Sequence, residues 1–390
     1  MAHKPHKKDR QSFGGLLEKI TGEREPLFKS YRYHCTEIDG LFEVKSMIKV
    51  LVVDDSALIR LMIKDLLEKD PEIKVVDTAK NGIEALEKAE KLRPDIITMD
   101  VNMPGMDGLS ALEKIKEKRL GNVLMLSSET KKGADVTLRA LELGAFDFVA
   151  KPQGVRLGLK DFEEELIAKV KAGARTIGSS KENPVKMPEE YILSDGDMKA
   201  VVIGISTGGP RSIMKVLPYL PARLNAAVFL VQHMPPAFTG PFAKRLDEQC
   251  AMKVVEAEDG MEIKPGVCYV GKGGYNLLVS GEGRKKKIVL TDSPKHRFMP
   301  SADVTMESVL SLFGKDTVGV LMTGMGDDGA EAMVKIRKSG GRTIAESSET
   351  AVIFGMPRAA IERKGAEFVL PNYEIASKII ELVGVRKESG

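Results

Sequence analysis

Met47-Ile48-Lys49-Val50-Leu51-Val52-Val53-Asp54-Asp55 is an apolar, β-branched run that stops at two acids, and its reading decides the fold of the first half of the chain. A short run with no polar alternation reads as a strand buried on both faces, the kind found in parallel sheets. Runs of the same type recur at 74–79, 95–99, 122–126 and 146–149, with amphipathic windows between them. The window at 57–68 sets Leu58, Leu61, Met62 and Leu66 on what reads as a buried stripe, and a last helix near 159–174 closes the unit. Strands alternating with helices predict a five-stranded, doubly wound α/β domain over 47–176.

Outward from that unit the composition changes. Residues 177–198 carry Ser179-Ser180, Asn183-Pro184, Met187-Pro188 and several acids, which favour an exposed linker over packing. A second apolar run at 200–205 turns through Ser206-Thr207-Gly208-Gly209-Pro210 into a helix. Further strands at 227–231, 253–257, 267–270, 276–279, 287–290, 318–322, 342–345 and 367–370 predict a larger parallel-sheet α/β/α domain over 199–384, with a tail at 385–390. The basic run at 284–287 reads as a solvated hairpin turn. Residues 1–46 show no sustained period and are left unassigned, as a disordered extension or the product of a start codon placed too far upstream.

Composition narrows the function. The 390 residues are too many for one core, and 43% hydrophobic with 29% charged residues excludes a disordered or collagen-like chain. A formal charge of +3 argues against a nucleic-acid footprint or a polybasic membrane surface. Cys35, Cys250 and Cys268 have no CxxC spacing, so neither a zinc cage nor a disulfide framework is expected and a reducing cytoplasm fits. Among the longest apolar runs is 226–231, far short of the roughly 18 residues of a membrane span, and no apolar stretch follows the basic start as in an export signal.

In a doubly wound sheet the carboxyl ends of neighbouring strands meet in one crevice. Asp54 and Asp55 follow the first strand there and Asp100 the third, while Ser127 ends the fourth and Lys151 the fifth. Acids at strand ends are often plain solvated loop residues. Three converging carboxylates repel one another unless a hard cation such as Mg²⁺ joins them, and a hydroxyl and a lysine beside them complete a phosphoryl-acceptor set. The first domain resembles a response-regulator receiver, through Val53-Asp54-Asp55-Ser56, the stretch Asp100-Val101-Asn102-Met103-Pro104-Gly105, Leu126-Ser127-Ser128 and Ala150-Lys151-Pro152. The resemblance implies phosphorylation of Asp100 by a histidine kinase and Mg²⁺ held by Asp54, Asp55, Asp100 and the Asn102 carbonyl. It also implies that Ser127 and Lys151 sense the phosphoryl group and that Phe148 is an aromatic switch.

In the second domain, Ser206 sits in a glycine-rich strand-to-helix turn, the context of an exposed nucleophile but also of an N-cap or an anion cradle. A base for it must be His233 or His296, the only histidines there. An α/β-hydrolase order would use His296 with Asp259 or Asp292. The order Ser206, His233, Asp328 puts every member after a strong strand and is preferred, because His296 lies in the charged Lys295-His296-Arg297 loop. The domain resembles the catalytic domain of the chemotaxis protein-glutamate methylesterases, the CheB family. The likeness rests on the turn 203–210, Gln232-His233-Met234-Pro235-Pro236, the stretch 321–330 and Phe354-Gly355-Met356-Pro357-Arg358. It implies Ser206 as nucleophile, His233 as general base and Asp328 as orienting acid, with Thr207 and Met325 near the oxyanion and no cofactor in this domain. It also implies hydrolysis of glutamyl methyl esters on chemoreceptors, deamidation of receptor glutamines, a cytoplasmic location, and neither nucleic-acid binding nor membrane insertion. Gly271-Lys272-Gly273-Gly274-Tyr275-Asn276 and Phe298-Met299 depart from the family pattern at positions that border its cleft. The alternatives are a phosphorylation-controlled binding module without hydrolase activity and a carboxylesterase using His296.

Overall fold

The computed structural model describes residues 47–128, 130–152, 159–176, 183–188, 192–194, 196–283 and 285–386. The expectations for residues 1–46, for parts of the 177–198 linker, for Arg284 and for the last four residues lie outside them.

The first sheet contains β1 (Ile48–Val53), β2 (Ile73–Ala79), β3 (Ile96–Asp100), β4 (Asn122–Ser127) and β5 (Asp147–Ala150), each within a residue or so of the run that predicts it. The order is β2-β1-β3-β4-β5, parallel throughout. Alternate residues of β1 enter separate clusters, Leu51 and Val53 on one face and Val50 and Val52 on the other, which is why the run shows no polar alternation. The faces are covered by α1 (Ala57–Leu67), α2 (Gly82–Leu92), α3 (Gly108–Glu117), α4 (Lys131–Glu142) and α5 (Leu159–Arg175). Side chains of Ser56, Asn81, Asp107 and Thr130 accept N–H groups in the first turns of α1 to α4, so each helix starts where a capping residue stands.

The expected stripe of α1 is corrected. Ile63, Leu66 and Leu67 are buried and Met62 packs against them, but Leu58 and Leu61 are 74% and 56% exposed. At helical spacing Leu58 and Leu61 continue into Asp65 and Glu68, an outer face, whereas Ile59, Ile63 and Leu66 form the inner one. Two adjacent stripes both begin apolar, and only the inner one stays so.

The second sheet has seven strands in the order β14-β13-β12-β6-β7-β9-β8, again parallel. These are β6 (Lys199–Ile205), β7 (Ala226–Gln232), β8 (Lys253–Glu256), β9 (Val267–Val270), β12 (Thr317–Leu321), β13 (Arg342–Glu346) and β14 (Phe368–Leu370). The runs near 276–291 are outside it, as an antiparallel hairpin of β10 (Asn276–Glu282) and β11 (Lys285–Thr291). Helices α6 (Gly209–Ser212), α7 (Pro236–Gln249), α8 (Ala302–Phe313), α9 (Ala330–Lys338), α10 (Met356–Glu362) and α11 (Asn372–Val383) complete the layers. Strand β6 lies between β12 and β7, with Gly204 opposite Leu321 and Ile205 opposite Gln232. The chain leaves β6 toward β7 and returns later to its other side at β12, so the three carboxyl ends open into a crevice at a topological switch.

Candidate functional site

In the first domain the same rule gathers the acids. Carboxylate oxygens of Asp54, Asp55 and Asp100 lie within 4.8 Å of one another, Asp54 and Asp100 buried and Asp55 exposed. Lys151 Nζ bridges Asp54 Oδ2 and Asp100 Oδ1 at 2.7 Å each. Burial pushes the Asp100 carboxyl up and the Asp54 charge adds to this, while Lys151 opposes both. Hard oxygen donors this close, with one exposed edge, suit a small divalent cation. Asn102 is exposed just beyond Asp100. Ser127 is fully buried, and its hydroxyl accepts from Thr137 Oγ1 at 2.6 Å and donates to the Gly133 carbonyl at 3.3 Å. Phe148 is buried as well, its ring stacked on Phe238 of α7 at 4.6 Å.

In the second domain Ser206, Thr207, His233 and Met325 line one cavity of about 270 Å³. Ser206 leaves β6 on a turn fixed by its backbone: its N–H donates to Thr323 O (2.9 Å), and its carbonyl accepts Gly209 N (2.8 Å) and Gln232 Nε2 (3.1 Å). Gly208 takes φ +74°, where a Cβ would also strike Val352, and a Cβ at Gly324 would lie 2.8 Å from that of Ser206. Both glycines let neighbouring chain segments close on the serine.

His233 follows β7, and its Nε2 lies 2.8 Å from Asp328 Oδ2. Its Nδ1 is buried and has no hydrogen-bond partner among the described residues, an uncommon state for a ring nitrogen. Asp328 is buried and accepts three further donors: Ala302 N (2.7 Å), Ser301 Oγ (2.7 Å) and Asp303 N (3.1 Å). Burial alone would raise this carboxyl, but His233 and the backbone N–H groups outweigh it and hold it down at about 2. The Phe298 ring stacks on the imidazole at 4.3 Å with 8° between planes. His296 is exposed, Asp292 is exposed, and the Asp259 carboxylate caps Leu290 N, so the alternative set is not brought together.

Glu346, at the end of β13, is a buried acid that sequence reasoning missed. It accepts Thr323 N at 2.7 Å and the Thr350 hydroxyl at 2.8 Å, supporting the strand end on which Ser206 N–H rests. Burial drives its carboxyl from 4.5 up to about 7 against those bonds. Between these pH values the folded chain keeps a proton that the unfolded chain has released, so stability falls as pH rises through the window. Glu346→Gln is expected to gain about 3 kcal/mol relative to wild type between about pH 4.5 and pH 8 in urea titrations. A difference independent of pH would contradict this.

The first domain reaches the cavity. Phe148, Ala150, Asp161, Glu165 and Lys169 line it together with Ser206. Asp147 Oδ2 accepts Gly208 N at 2.8 Å, in the serine turn itself. Arg245 on α7 pairs with Glu142 at 2.5 Å, and Arg297 with Glu164 at 2.5 Å. Of these contacts, as of Ser301 beside Asp328 and Phe298 beside His233, only the Phe298 departure from pattern gave a sequence signal.

A phosphoacceptor-type sheet joined to a hydroxyl, an imidazole and a carboxylate on a second parallel sheet defines a class, the response regulators with a hydrolase output. Residues 50–161 match the response regulator receiver domain family and residues 201–379 the CheB methylesterase family. The chain is 49% identical over 359 residues to the protein-glutamate methylesterase/protein-glutamine glutaminase of Caldanaerobacter subterraneus subsp. tengcongensis, covering 87% of this chain and 98% of that one. It is also 49% identical over 351 residues to a relative of the same description from Syntrophomonas wolfei, covering 86% and 99%. The crystal structure of the Thermotoga maritima CheB methylesterase catalytic domain aligns at 43% identity over 48% of this chain and 100% of that one, with a TM-score of 0.47. The chain belongs to the CheB family of protein-glutamate methylesterases/protein-glutamine glutaminases. Among the described residues no helix is long and apolar enough to cross a membrane.

Proposed function

We propose that the chain demethylates glutamyl methyl esters on the cytoplasmic helices of chemoreceptors, and deamidates receptor glutamines by the same steps, under control of phosphorylation at Asp100. The observation that carries this reading is the buried, partnerless Nδ1 of His233 in the cavity that Ser206 lines. With Nε2–H donated to Asp328, Nδ1 takes the Ser206 Oγ proton as Oγ attacks the ester carbonyl. Thr207 and Met325 flank the developing oxyanion. The proton passes to the departing methoxide, methanol leaves, and water activated by the same nitrogen hydrolyses the acyl-enzyme to glutamate. With glutamine, ammonia leaves instead. Asp328 stabilises the imidazolium that forms in each step.

Asp54, Asp55, Asp100 and the Asn102 carbonyl would hold Mg²⁺, which supplies charge neutralisation at a site of phosphoryl transfer. A chemotaxis histidine kinase is the phosphodonor we assign, and Lys151 the cation that meets the acquired phosphoryl oxygens. Ser127 has to leave Thr137 to join it. That change and release of Phe148 from Phe238 are the movements we assign to opening, since receiver side chains line the cavity of Ser206 and would obstruct a helical substrate.

Methanol release from methylated chemoreceptor membranes by the full-length chain should rise roughly 5- to 150-fold with an acyl-phosphate donor, the range of typical coupling energies. Asp100→Asn should abolish the rise and keep the basal rate. No methanol with or without donor would refute the reading; a donor-independent rate would refute its regulatory half.

A further inference from the structure

We infer that Arg297 reads a carboxylate on the substrate helix about one turn from the scissile ester, and that receiver helix α5 holds this seat in the closed chain. The inference deepens the methylesterase reading and rests on it.

Asp161, Glu165 and Lys169 stand at i, i+4 and i+8 of α5 and line the cavity of Ser206, so a helix bearing acids already lies along the cleft. Among the described residues Arg297 is the one Lys or Arg that the catalytic domain contributes to that cavity. Its guanidinium is 2.5 Å from Glu164 and 3.7 Å from Asp161, both in the first two turns of α5. It also lies over the Phe298 ring at 5.4 Å, and that ring is stacked on His233. The cation, the ring and the general base therefore form one column, and a carboxylate bound at Arg297 is held at a fixed offset from the reacting carbonyl.

The ion pair to Glu164 is about half exposed on both sides, and such pairs are weak enough to exchange. When the receiver leaves, Arg297 loses its partners and the cleft keeps a cation that fits one more acid. A helical substrate supplies it most directly from three or four residues along, where both side chains share a face with the esterified glutamate.

The test uses full-length enzyme with an acyl-phosphate donor and two helical peptides. Both carry a glutamyl methyl ester; one has glutamate four residues away, the other glutamine. Arg297→Ala should raise KM about fivefold on the glutamate peptide and less than about twofold on the glutamine peptide, with kcat changed little on either. Equal rises on both peptides would overturn the inference and leave the methylesterase reading standing. Absence of methanol from either peptide with wild-type enzyme would overturn both. Without donor, Glu164→Gln should speed hydrolysis of the glutamate peptide severalfold, and an unchanged rate would remove α5 from the seat.

Discussion

Ser206→Ala is expected to lower kcat for methanol release by roughly 10⁴- to 10⁶-fold while leaving the fold in place. The fold survives because the turn depends on the backbone of residue 206. Its N–H donates to Thr323 O, and its carbonyl accepts Gly209 N and Gln232 Nε2. Alanine keeps these bonds and the same Cβ against Gly324. What disappears is the hydroxyl to which we assign the attack. His233 and Asp328 remain paired but have only water to activate, and the surviving rate reports the oxyanion donors and substrate binding alone. A serine-directed fluorophosphonate should label wild type at residue 206 and fail on the variant. His296→Ala is the matched control: its ring is exposed in the 291–300 loop, and activity should persist. A Ser206→Ala enzyme retaining more than about a hundredth of wild-type kcat would place the nucleophile elsewhere.

The positions that carry this expectation were legible because they stand at strand ends. Runs such as 48–53 and 200–205 are apolar on both faces, so where the apolar residues stop, the strand stops and the crevice begins. Asp54, Asp100, Ser206 and His233 stand at those stops. Leu58 and Leu61 misled because a helix carries its sidedness in the whole stripe, and four residues of it do not distinguish an inner face from the edge of an outer one. Asp147 was illegible for another reason. Its neighbour Phe148 marks a strand, but nothing local says that a carboxylate at the start of β5 will be buried against the serine turn of another domain. Glu346 ends β13 as Asp100 ends β3, yet one meets a backbone N–H and the other the Lys151 ammonium beside two further carboxylates. Strand order separates these cases, and strand order is set by contacts distant in sequence. Ser301 and Phe298 belong to a loop brought in by α8, whose place over β6 no periodicity encodes.

Asp328→Asn should cause the other large loss, about 10³- to 10⁴-fold in kcat, although the side chains are nearly isosteric. The carboxylate accepts four donors: His233 Nε2, Ala302 N, Ser301 Oγ and Asp303 N. An amide has one acceptor oxygen. If its NH₂ faces Asp303, a backbone N–H is left without a partner; if it faces His233, Ala302 N–H is orphaned and the ring must carry its proton on Nδ1, where it no longer accepts one from Ser206. Either way the imidazolium loses its counter-charge. A buried unpaired donor costs roughly 1–3 kcal/mol, so the variant should also unfold at lower urea. The wild-type carboxyl ionises at about 2 when folded, against 3.8 ordinarily. Its ionisation therefore adds stability that is fully present above about pH 4 and is lost as pH falls toward 2, about 2 kcal/mol in all. The stability gap between wild type and Asp328→Asn should narrow over that same interval, while the loss in kcat persists at neutral pH. An asparagine variant within tenfold of wild-type kcat, with the expected loss of stability, would reduce Asp328 to a cap on the α8 turn and leave His233 without its orienting acid.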